Sequence, residues 1–404
     1  MIFSKRTILA AIAIAAAASF LLCGYEFIRA VSDSLFIGAY GAKNLPWVMA
    51  AIFPCVYLMI YGYGRLLSRF GASHALLITS LLSIAVIVSA YLLILKGYLF
   101  ATVIIYVFRE AYIVLIIEQY WSFVNSTLSS EQARRFNGPF CGLASLGSIT
   151  GGFLVGRLAE SLGSETLLLF TAGSLLPAAV CSYTAYALAG EPQPSDAEKR
   201  GKLGHTGLKV FLRSRYLVFI ALLILTTQVV STVLDLRFKG LIEIAKPVAD
   251  ERTAFIGNFY GTLGIAAAVL QFIVAPLLMR FAPLRMVHLG IPTVHFVTCA
   301  ILIVAPSLWS AAGAFLIFKA LDYSIFRAGK EIFYIPLSFD ARFRAKQIID
   351  SFGYRASKSG SAIIIALLGL AGSAFSIIAM IVAVVWSGII SNLTKQYQKL
   401  EGRD

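Results

Sequence analysis

The stretch Gly-Glu-Pro-Gln-Pro-Ser-Asp-Ala-Glu-Lys-Arg-Gly, residues 190–201, is the only long polar segment in this chain of 404 residues. Its proline, glycine and charged residues are typical of a flexible linker. It falls near the middle of the chain, between two strongly apolar regions. We therefore predict two halves, residues 1–189 and 208–404, joined by a linker at 190–207.

The composition of the apolar regions indicates an integral membrane protein, whose partner is the lipid bilayer. Apolar residues make up 59% of the chain and charged residues 13%, whereas soluble domains have about 45–50% and 25%. The net charge of +14 does not indicate nucleic-acid binding, because the basic residues are scattered between apolar runs. The five cysteines lie within apolar runs, so they do not predict a disulfide scaffold.

Twelve runs are long and apolar enough to cross a bilayer, which takes about 20 residues per helix. The sequence thus predicts an all-α membrane protein with twelve transmembrane helices. The predicted spans are residues 7–37, 44–67, 74–95, 98–128, 133–160, 164–189, 208–240, 252–279, 284–305, 308–336, 343–370 and 372–394.

The distribution of lysine and arginine predicts the orientation of these spans. Of the 34 such residues, twenty fall on the side that holds both termini. The opposite loops hold only Lys43, Lys96, Lys246 and Arg252. Because cytoplasmic loops are enriched in these residues, we predict that both termini are cytoplasmic, in the inner membrane of a bacterium.

Weak internal similarity indicates that the two halves are duplicated. Gly142–Ser148 parallels Gly353–Ser359 at an offset of 211 residues, and Asp33–Gly38 parallels Asp235–Gly240 at an offset of 202. Two pseudo-symmetric six-helix halves are typical of the major facilitator architecture. Gly62–Gly71 also resembles that superfamily's loop after its second helix, although its acidic residue is missing here.

Ten basic residues lie within the spans themselves, where each costs about 2.5–3.5 kcal/mol at a helix centre. They are Arg29, Arg109, Arg157, Arg237, Lys239, Lys319, Arg327, Lys330, Arg355 and Lys358. Snorkelling at a helix end is our interpretation for Arg157, Lys239 and Lys319. It does not suit Arg29, Arg109, Lys330, Arg355 or Lys358, which long apolar stretches or acids surround.

Helix 1 of the first half carries a charged face. Glu26, Arg29 and Asp33 are spaced i, i+3 and i+7 and therefore lie on one side of the helix. Two interpretations stay open: an ion-pair ladder that neutralises itself, or a site for substrate or a proton that faces the bundle interior.

The fourth predicted span, residues 98–128, carries a second polar cluster, composed of Arg109, Glu110, Glu118 and Asn125. Glu118 follows Glu110 by eight residues and so lies near the same face. The sequence does not decide which of these two glutamates is the functional acid.

The second half holds further candidate substrate-binding residues, which are Asp235, Lys330, Glu331, Tyr334, Arg355 and Lys358. For Asp235, an exposed helix end is an equal alternative. Arginine and lysine in a water-filled cavity suit a multiply charged anion that carries phosphate or carboxylate. No phosphate-binding glycine loop or metal-ligand spacing occurs, so neither an enzyme, a cofactor nor a metal is predicted. His288 and His295 are interpreted as structural.

The run Lys330–Leu337, with Lys346, Asp350, Arg355 and Lys358–Gly360, resembles the signature of the ATP/ADP antiporter family. That family comprises nucleotide transporters of plastids and intracellular bacteria. Further similarity covers Arg29 to Pro46, Trp121–Asn125, Glu131–Phe136 and Ser214 to Lys239. The resemblance implies a major-facilitator-like fold and nucleotide exchange or uptake. It also implies that Lys330, Glu331 and one of Glu110 or Glu118 recognise phosphate and govern exchange.

One position departs from the family pattern. Ser32 stands where the family has a lysine that matters for nucleotide recognition. Arg109, Arg355 and Lys358 are candidates for supplying the missing charge.

The leading hypothesis is therefore a transporter that moves a nucleotide or related organic anion by alternating access. The alternatives are a proton-coupled transporter of another solute, which would use Glu110, Glu118 or Asp33 as its proton site, and a non-transporting receptor or assembly partner. The sequence leaves the oligomeric state, the coupling mode and the identity of the anion open.

Overall fold

The computed structural model describes residues 5–127, 130–190, 214–337, 349 and 353–400, and it leaves out the side chains of 115–122 and 124–140. Almost all of these residues are helical. We number the helices α1 to α11 in chain order. Their bounds are Lys5–Tyr40, Leu45–Leu95, Phe100–Thr127, Ser130–Leu162, Leu167–Ala189, Arg215–Ala245, Ala249–Phe281, Leu284–Val304, Leu308–Ile332, Tyr354–Leu368 and Ser373–Leu400.

Within the described part of the chain, nine helices are long and apolar enough to cross a membrane. Two of them contain a π-helical turn, Leu270–Val274 in α7 and Asp322–Phe326 in α9. The helices follow the predicted spans closely, and they confirm a helical, multi-pass membrane protein. The predicted spans 208–240 and 343–370 lie partly outside the described residues.

The predicted second and third spans form one helix that is broken at a glycine. Leu45–Leu95 has 51 residues, about 75 Å if it were straight, whereas one crossing of the hydrocarbon core takes about 30 Å. Gly71 interrupts the helix with φ 77° and ψ 175°, a conformation that residues with a Cβ atom avoid. The expected loop between the two spans is therefore reduced to a single break.

The first of two compact units contains the residues up to Gly41, the chain from Pro54 through α5, and Lys246–Ile265. Its central helix is α1, which packs against α3, α4 and α5. Small residues on α1 allow this close approach. Thr171 of α5 donates a 3.0 Å hydrogen bond to the Gly24 carbonyl of α1.

The second unit contains residues 42–53, α6 and the chain from Ala266 onward. Its central helix is α6, which packs against α9, α10 and α11, while α8 packs against α9 and α11. The first helix of each predicted half, α1 or α6, is thus the most enclosed helix of its unit.

Arg252 fixes the start of α7 to the end of α1 within the first unit. It is 2% exposed, and its guanidinium donates to the Ser34 carbonyl at 2.8 Å and the Lys246 carbonyl at 3.0 Å. We counted Arg252 as an extramembrane loop charge, but the structure buries it. The reason is that these backbone carbonyls accept its hydrogen bonds in place of water.

Helices α4 and α7 make a second close contact in the same unit through small residues. A Cβ atom built on Gly152 would lie 2.5 Å from the backbone nitrogen of Gly261, and one on Gly257 would lie 2.6 Å from Val155. The glycines therefore set the distance between the two helices. Such small-residue contacts are a common means of helix association in membranes.

Candidate functional site

Arg109 of α3 is the central charged group of the first unit, where it is 3% exposed. Its Nη1 atom lies 2.7 Å from Oδ1 of the fully buried Asp33. The same nitrogen donates to the Arg29 carbonyl at 2.9 Å and to the Ser32 hydroxyl at 2.8 Å. The Tyr106 ring lies 4.0 Å from the guanidinium carbon. A cation is therefore held against α1 at the Ser32 position, where the resemblance implied a lysine.

The charged face of α1 forms both a local ion pair and contacts with other helices. Glu26 and Arg29 form a loose local pair at 3.7 Å, as an ion-pair ladder predicts. Asp33 instead pairs across to α3. Ser148 of α4 donates a 2.6 Å hydrogen bond to Glu26, and the Arg29 guanidinium lies 3.4 Å from the centre of the Tyr260 ring. The face is thus turned toward protein and contacts several helices.

The other predicted residues of α3 are only partly described. Glu110 lies beside Arg109, with its Oε1 atom 3.5 Å from the arginine Nε. The side chains of Glu118 and Asn125 lie outside the described residues, so the choice between the two glutamates stays a prediction.

The second unit carries its charges on α6 and α9. Asp235 is buried, and its Oδ2 atom lies 3.1 Å from the Lys239 ammonium one helical turn later. The exposed-end interpretation of Asp235 is therefore wrong.

Two lysines of this unit were misinterpreted as snorkelling residues. Lys239 is 2% exposed and Lys319 is 7% exposed. The Lys319 ammonium donates a 2.8 Å hydrogen bond to Ser231 of α6. Snorkelling remains consistent with Arg157, which is exposed. The spacing of Asp235 and Lys239 by four residues was the sequence signal for an ion pair on one helix face.

The end of α9 positions the residues of the family-like motif. Lys330 and Glu331 approach each other loosely, at 3.9 Å, and the helix stops at Ile332 instead of continuing to residue 336 as predicted. Tyr216 of α6 donates a 2.8 Å hydrogen bond to the Phe333 carbonyl. This bond satisfies a carbonyl that the end of the helix leaves without an intrahelical partner.

The remaining motif residues are described individually. Tyr334 is buried, and Arg355 and Lys358 are half-buried near the start of α10. Their spacing of three residues places the two bases on one face of that helix. Ser359 donates a 3.0 Å hydrogen bond to the Met49 carbonyl, which ties α10 to the first turns of α2 within the second unit.

Both histidines of α8 are buried among aromatic rings. The His288 ring lies 4.7 Å from that of Phe333, and the His295 ring lies 5.6 Å from that of Trp386. A search of the described residues finds no group of three or more His, Cys, Asp or Glu side chains that is able to hold a metal ion.

The chemistry of these groups is that of recognition. Guanidinium and ammonium groups inside a helical bundle attract anions, and arginine is suited to bidentate contacts with phosphate or carboxylate. Neighbouring carboxylates hold the bases in place and compensate their charge. In the first unit Asp33 holds Arg109 in this way, whereas in the second unit the Lys319 ammonium bonds to the Ser231 hydroxyl.

A family model described as TLC ATP/ADP transporter matches residues 174–315 and 303–402, more than half of the chain. The chain belongs to the TLC ATP/ADP transporter family. This confirms the resemblance that the motif at residues 330–337 indicated.

Several bacterial proteins are similar to this member of the TLC family. The ADP,ATP carrier protein 1 of Rickettsia bellii is 24% identical over 326 residues, or 70% of this chain and 66% of the carrier. The protein of the same name from Chlamydia muridarum is 26% identical over 362 residues, or 78% of this chain and 66% of the carrier. The chain thus spans slightly less than two thirds of the length of these relatives.

Solved transporter structures share the fold. The peptide transporter PepTSo of the POT family superposes with a TM-score of 0.67 at 13% identity, and the match covers 99% of both chains. The D-xylose-proton symporter gives a TM-score of 0.64 at 13% identity and covers 93% of this chain and 96% of its own. The predicted major-facilitator-like fold is therefore confirmed.

Proposed function

We propose that this chain is a membrane transporter that moves a nucleotide, or a related phosphorylated or carboxylated anion, by alternating access. Membership of the TLC family supports transport, and the ADP,ATP carriers of Rickettsia and Chlamydia support a nucleotide as the substrate. The chain is not proposed as an enzyme, since its charged groups are arranged for binding.

The observation that carries the proposal is the buried guanidinium of Arg109. An arginine inside a membrane-spanning bundle is expensive to insert and marks a functional site by default. Here Asp33, Ser32 and the Arg29 carbonyl hold it. The position that the family fills with a lysine on α1 therefore receives its charge from α3, which supports recognition of an anion despite Ser32.

We further propose twelve membrane spans in two six-helix halves, residues 1–189 and 208–404, with both termini in the cytoplasm of a bacterium. Ten crossings follow from the nine long helices if the break at Gly71 separates two of them. Helix α3 and the region around α10 would supply the other two. The excess of lysine and arginine on one side supports the orientation.

Substrate binding is proposed to involve the twelve residues predicted from the sequence. In the first half these are Arg29, Asp33, Arg109, Glu110, Glu118 and Asn125, and in the second half Asp235, Lys330, Glu331, Tyr334, Arg355 and Lys358. Lys330 is the first to test, because it lies in the most specific motif and near the end of α9.

The experiment is exchange in proteoliposomes that contain the purified protein. Vesicles loaded with ADP are presented with labelled ATP, ADP or other nucleotides, with and without an imposed pH gradient. We expect uptake that requires internal nucleotide and does not require the gradient. Uptake that depends on the gradient would favour the proton-coupled alternative, and no uptake of any nucleotide would contradict the proposal.

Lys330→Ala provides the residue-level test. We expect it to abolish anion binding and exchange, because it removes the ammonium that the motif places at the end of α9. Arg157→Ala is the matched control, since Arg157 is an exposed base in the membrane region. Full exchange by Lys330→Ala would place this lysine outside the site.

A further inference from the structure

Lys319 is a buried cation of the second unit that the predicted substrate site does not include. Its ammonium group has three N–H donors, and among the described residues its one hydrogen-bond acceptor is the Ser231 hydroxyl, at 2.8 Å. The carboxylates of Asp235 and Asp322 act on it electrostatically, but no ion pair joins it to either of them. The rings of Phe315, Phe318 and Tyr323 lie 5.4–5.7 Å away.

A buried ammonium without a contacting counter-charge is costly. Ring contacts at this distance offset only part of that cost. Asp235, the nearest acid of α6, is already paired with Lys239 at 3.1 Å. Within the described part of the chain, Lys319 therefore has no carboxylate in direct contact, and Asp235 and Asp322 act on its charge only from a longer distance.

The face of α6 that Lys319 contacts is polar and incompletely bonded. Ser231 and Thr232 lie three and four residues after Gln228, and Asp235 follows them by four and three residues, which places the four along one side of the helix. Gln228 and Thr232 are each 1% exposed. The Gln228 Oε1, Thr232 Oγ1 and Asp235 Oδ1 atoms have no hydrogen-bond partner in the described part of the chain. Buried polar atoms of this kind normally have partners.

The internal repeat makes Lys319 the counterpart of Arg109. The predicted spans that contain them begin at residues 98 and 308, and the two bases are separated by that same offset of 210 residues. Arg109 bonds to the Arg29 carbonyl of α1. Lys319 bonds to Ser231 of α6, which is the equivalent of Arg29 at the helix offset of 202. In each predicted half, a buried base on the fourth span thus contacts the equivalent position of the first span. The spans are α3 and α1 in the first half, and α9 and α6 in the second.

The two bases differ in their compensation. Arg109 has the Asp33 carboxylate in direct contact at 2.7 Å, whereas the hydrogen-bond partner of Lys319 among the described residues is the neutral Ser231 hydroxyl. A π-helical turn at Asp322–Phe326 begins three residues after Lys319, and such turns inside α-helices occur frequently at functional sites. A cation without a carboxylate in direct contact, at an irregular point of a helix, is suited to bind an anion.

We propose that Lys319, with Ser231, forms an anion-binding site of the second unit that takes a phosphate group of the transported substrate. This inference rests on the proposed function. It assigns substrate binding to a lysine that we interpreted from the sequence alone as a snorkelling residue. The Thr232 hydroxyl is a further donor on the same face. Ser231 keeps the ammonium of Lys319 against α6 until the phosphate binds.

The test uses the purified full chain in detergent, with ATP binding measured by isothermal titration calorimetry. Lys319→Met removes the charge and keeps much of the volume. We expect it to weaken ATP binding about 10- to 100-fold, the range for one charged hydrogen bond. Lys319→Arg keeps the charge, and we expect it to bind within a few-fold of the wild type. Arg157→Met, on the exposed side of α4, is the control and should bind normally.

Thermal unfolding of the same variants distinguishes binding from a structural role. If Lys319 binds the substrate, its buried charge destabilises the protein when no ligand is bound. Lys319→Met should therefore unfold at the same temperature as the wild type or higher. A lower unfolding temperature together with unchanged ATP affinity would show a structural role and overturn the inference. Unchanged affinity in a stable Lys319→Met protein would overturn it as well.

Nucleotide binding by the wild type distinguishes failure of this inference from failure of the proposed function. If the wild type binds ATP and Lys319→Met binds it equally well, only the assignment of Lys319 fails. If the wild type binds neither ATP nor ADP, the proposed function fails and this inference fails with it.

Discussion

The buried pair of Arg109 and Asp33 permits a quantitative prediction. The two side chains are 4% and 1% exposed, and their charged atoms lie 2.7 Å apart. At an effective dielectric constant of about 20 their attraction is about 6 kcal/mol. Much of that offsets the cost of removing both charges from water, so the net value of the pair is small. Removal of one partner is different, because it leaves the other charge buried and alone.

We therefore expect Arg109→Met to lower the free energy of unfolding by about 3–5 kcal/mol. The variant also loses the hydrogen bonds to the Ser32 hydroxyl and the Arg29 carbonyl. Asp33→Asn should cost less, since Glu110 lies 3.5 Å from the arginine and still compensates its charge. The double variant removes both charges of the pair, although Glu110 loses its contact with the arginine, and we expect it to recover about 2 kcal/mol or more relative to Arg109→Met.

The assay is unfolding of the purified protein in mixed micelles with a rising fraction of a denaturing detergent, followed by circular dichroism. The two single variants, the double variant and the wild type form a double-mutant cycle. Arg157→Met is the control for loss of an exposed base and should change the stability by less than about 0.5 kcal/mol. Additive effects of Arg109→Met and Asp33→Asn would refute the reasoning, because they would show that the pair is not energetically coupled.

Two further predictions concern glycines, each with a matched control on the same helix. Gly152→Val should destabilise the protein by about 1–3 kcal/mol in the same unfolding assay, since its Cβ atom would lie 2.5 Å from the Gly261 backbone. Gly142→Val is the control, because a Cβ atom there has open space. Equal destabilisation by the two substitutions would contradict this prediction. Gly71→Ala should cost about 1–2 kcal/mol because of its positive φ, while Gly62→Ala, inside the regular part of α2, should stabilise slightly. A neutral Gly71→Ala would show that the break is not constrained.

The predictions from sequence were most accurate where the physics is local. Hydropathy over about 20 residues locates a membrane span because each spanning helix must by itself be long and apolar enough and must pair its own backbone hydrogen-bonding groups. The glycine-rich break between the second and third spans was correctly located, and Asp33 was correctly placed on a charged face. The four-residue spacing of Asp235 and Lys239 indicated their ion pair, although we interpreted both residues as lying near an exposed helix end.

The partners of charged side chains were not predictable in this way. We interpreted Lys319 and Arg157 alike as snorkelling residues, yet Lys319 lies in the middle of α9 and is buried against Ser231, while Arg157 is exposed. Similarly, Arg252 follows a short loop and was counted with the loop charges, but it is enclosed by the carbonyls of Ser34 and Lys246. Which of these outcomes holds depends on the helix that packs alongside.

The sequence by itself determined that this chain is a helical membrane protein with charge inside its spans, and its motif indicated the TLC family. Those conclusions follow from composition, from hydrophobic length and from the order of residues in one segment. Only the tertiary structure decided that Arg109 supplies a cation at Ser32 and that Lys319 lies buried without a contacting carboxylate in the described chain. The physical reason is that the cost of a buried charge depends on the polar and charged groups around it, and for Arg109 and Lys319 those groups come from helices about 80 residues away in the chain.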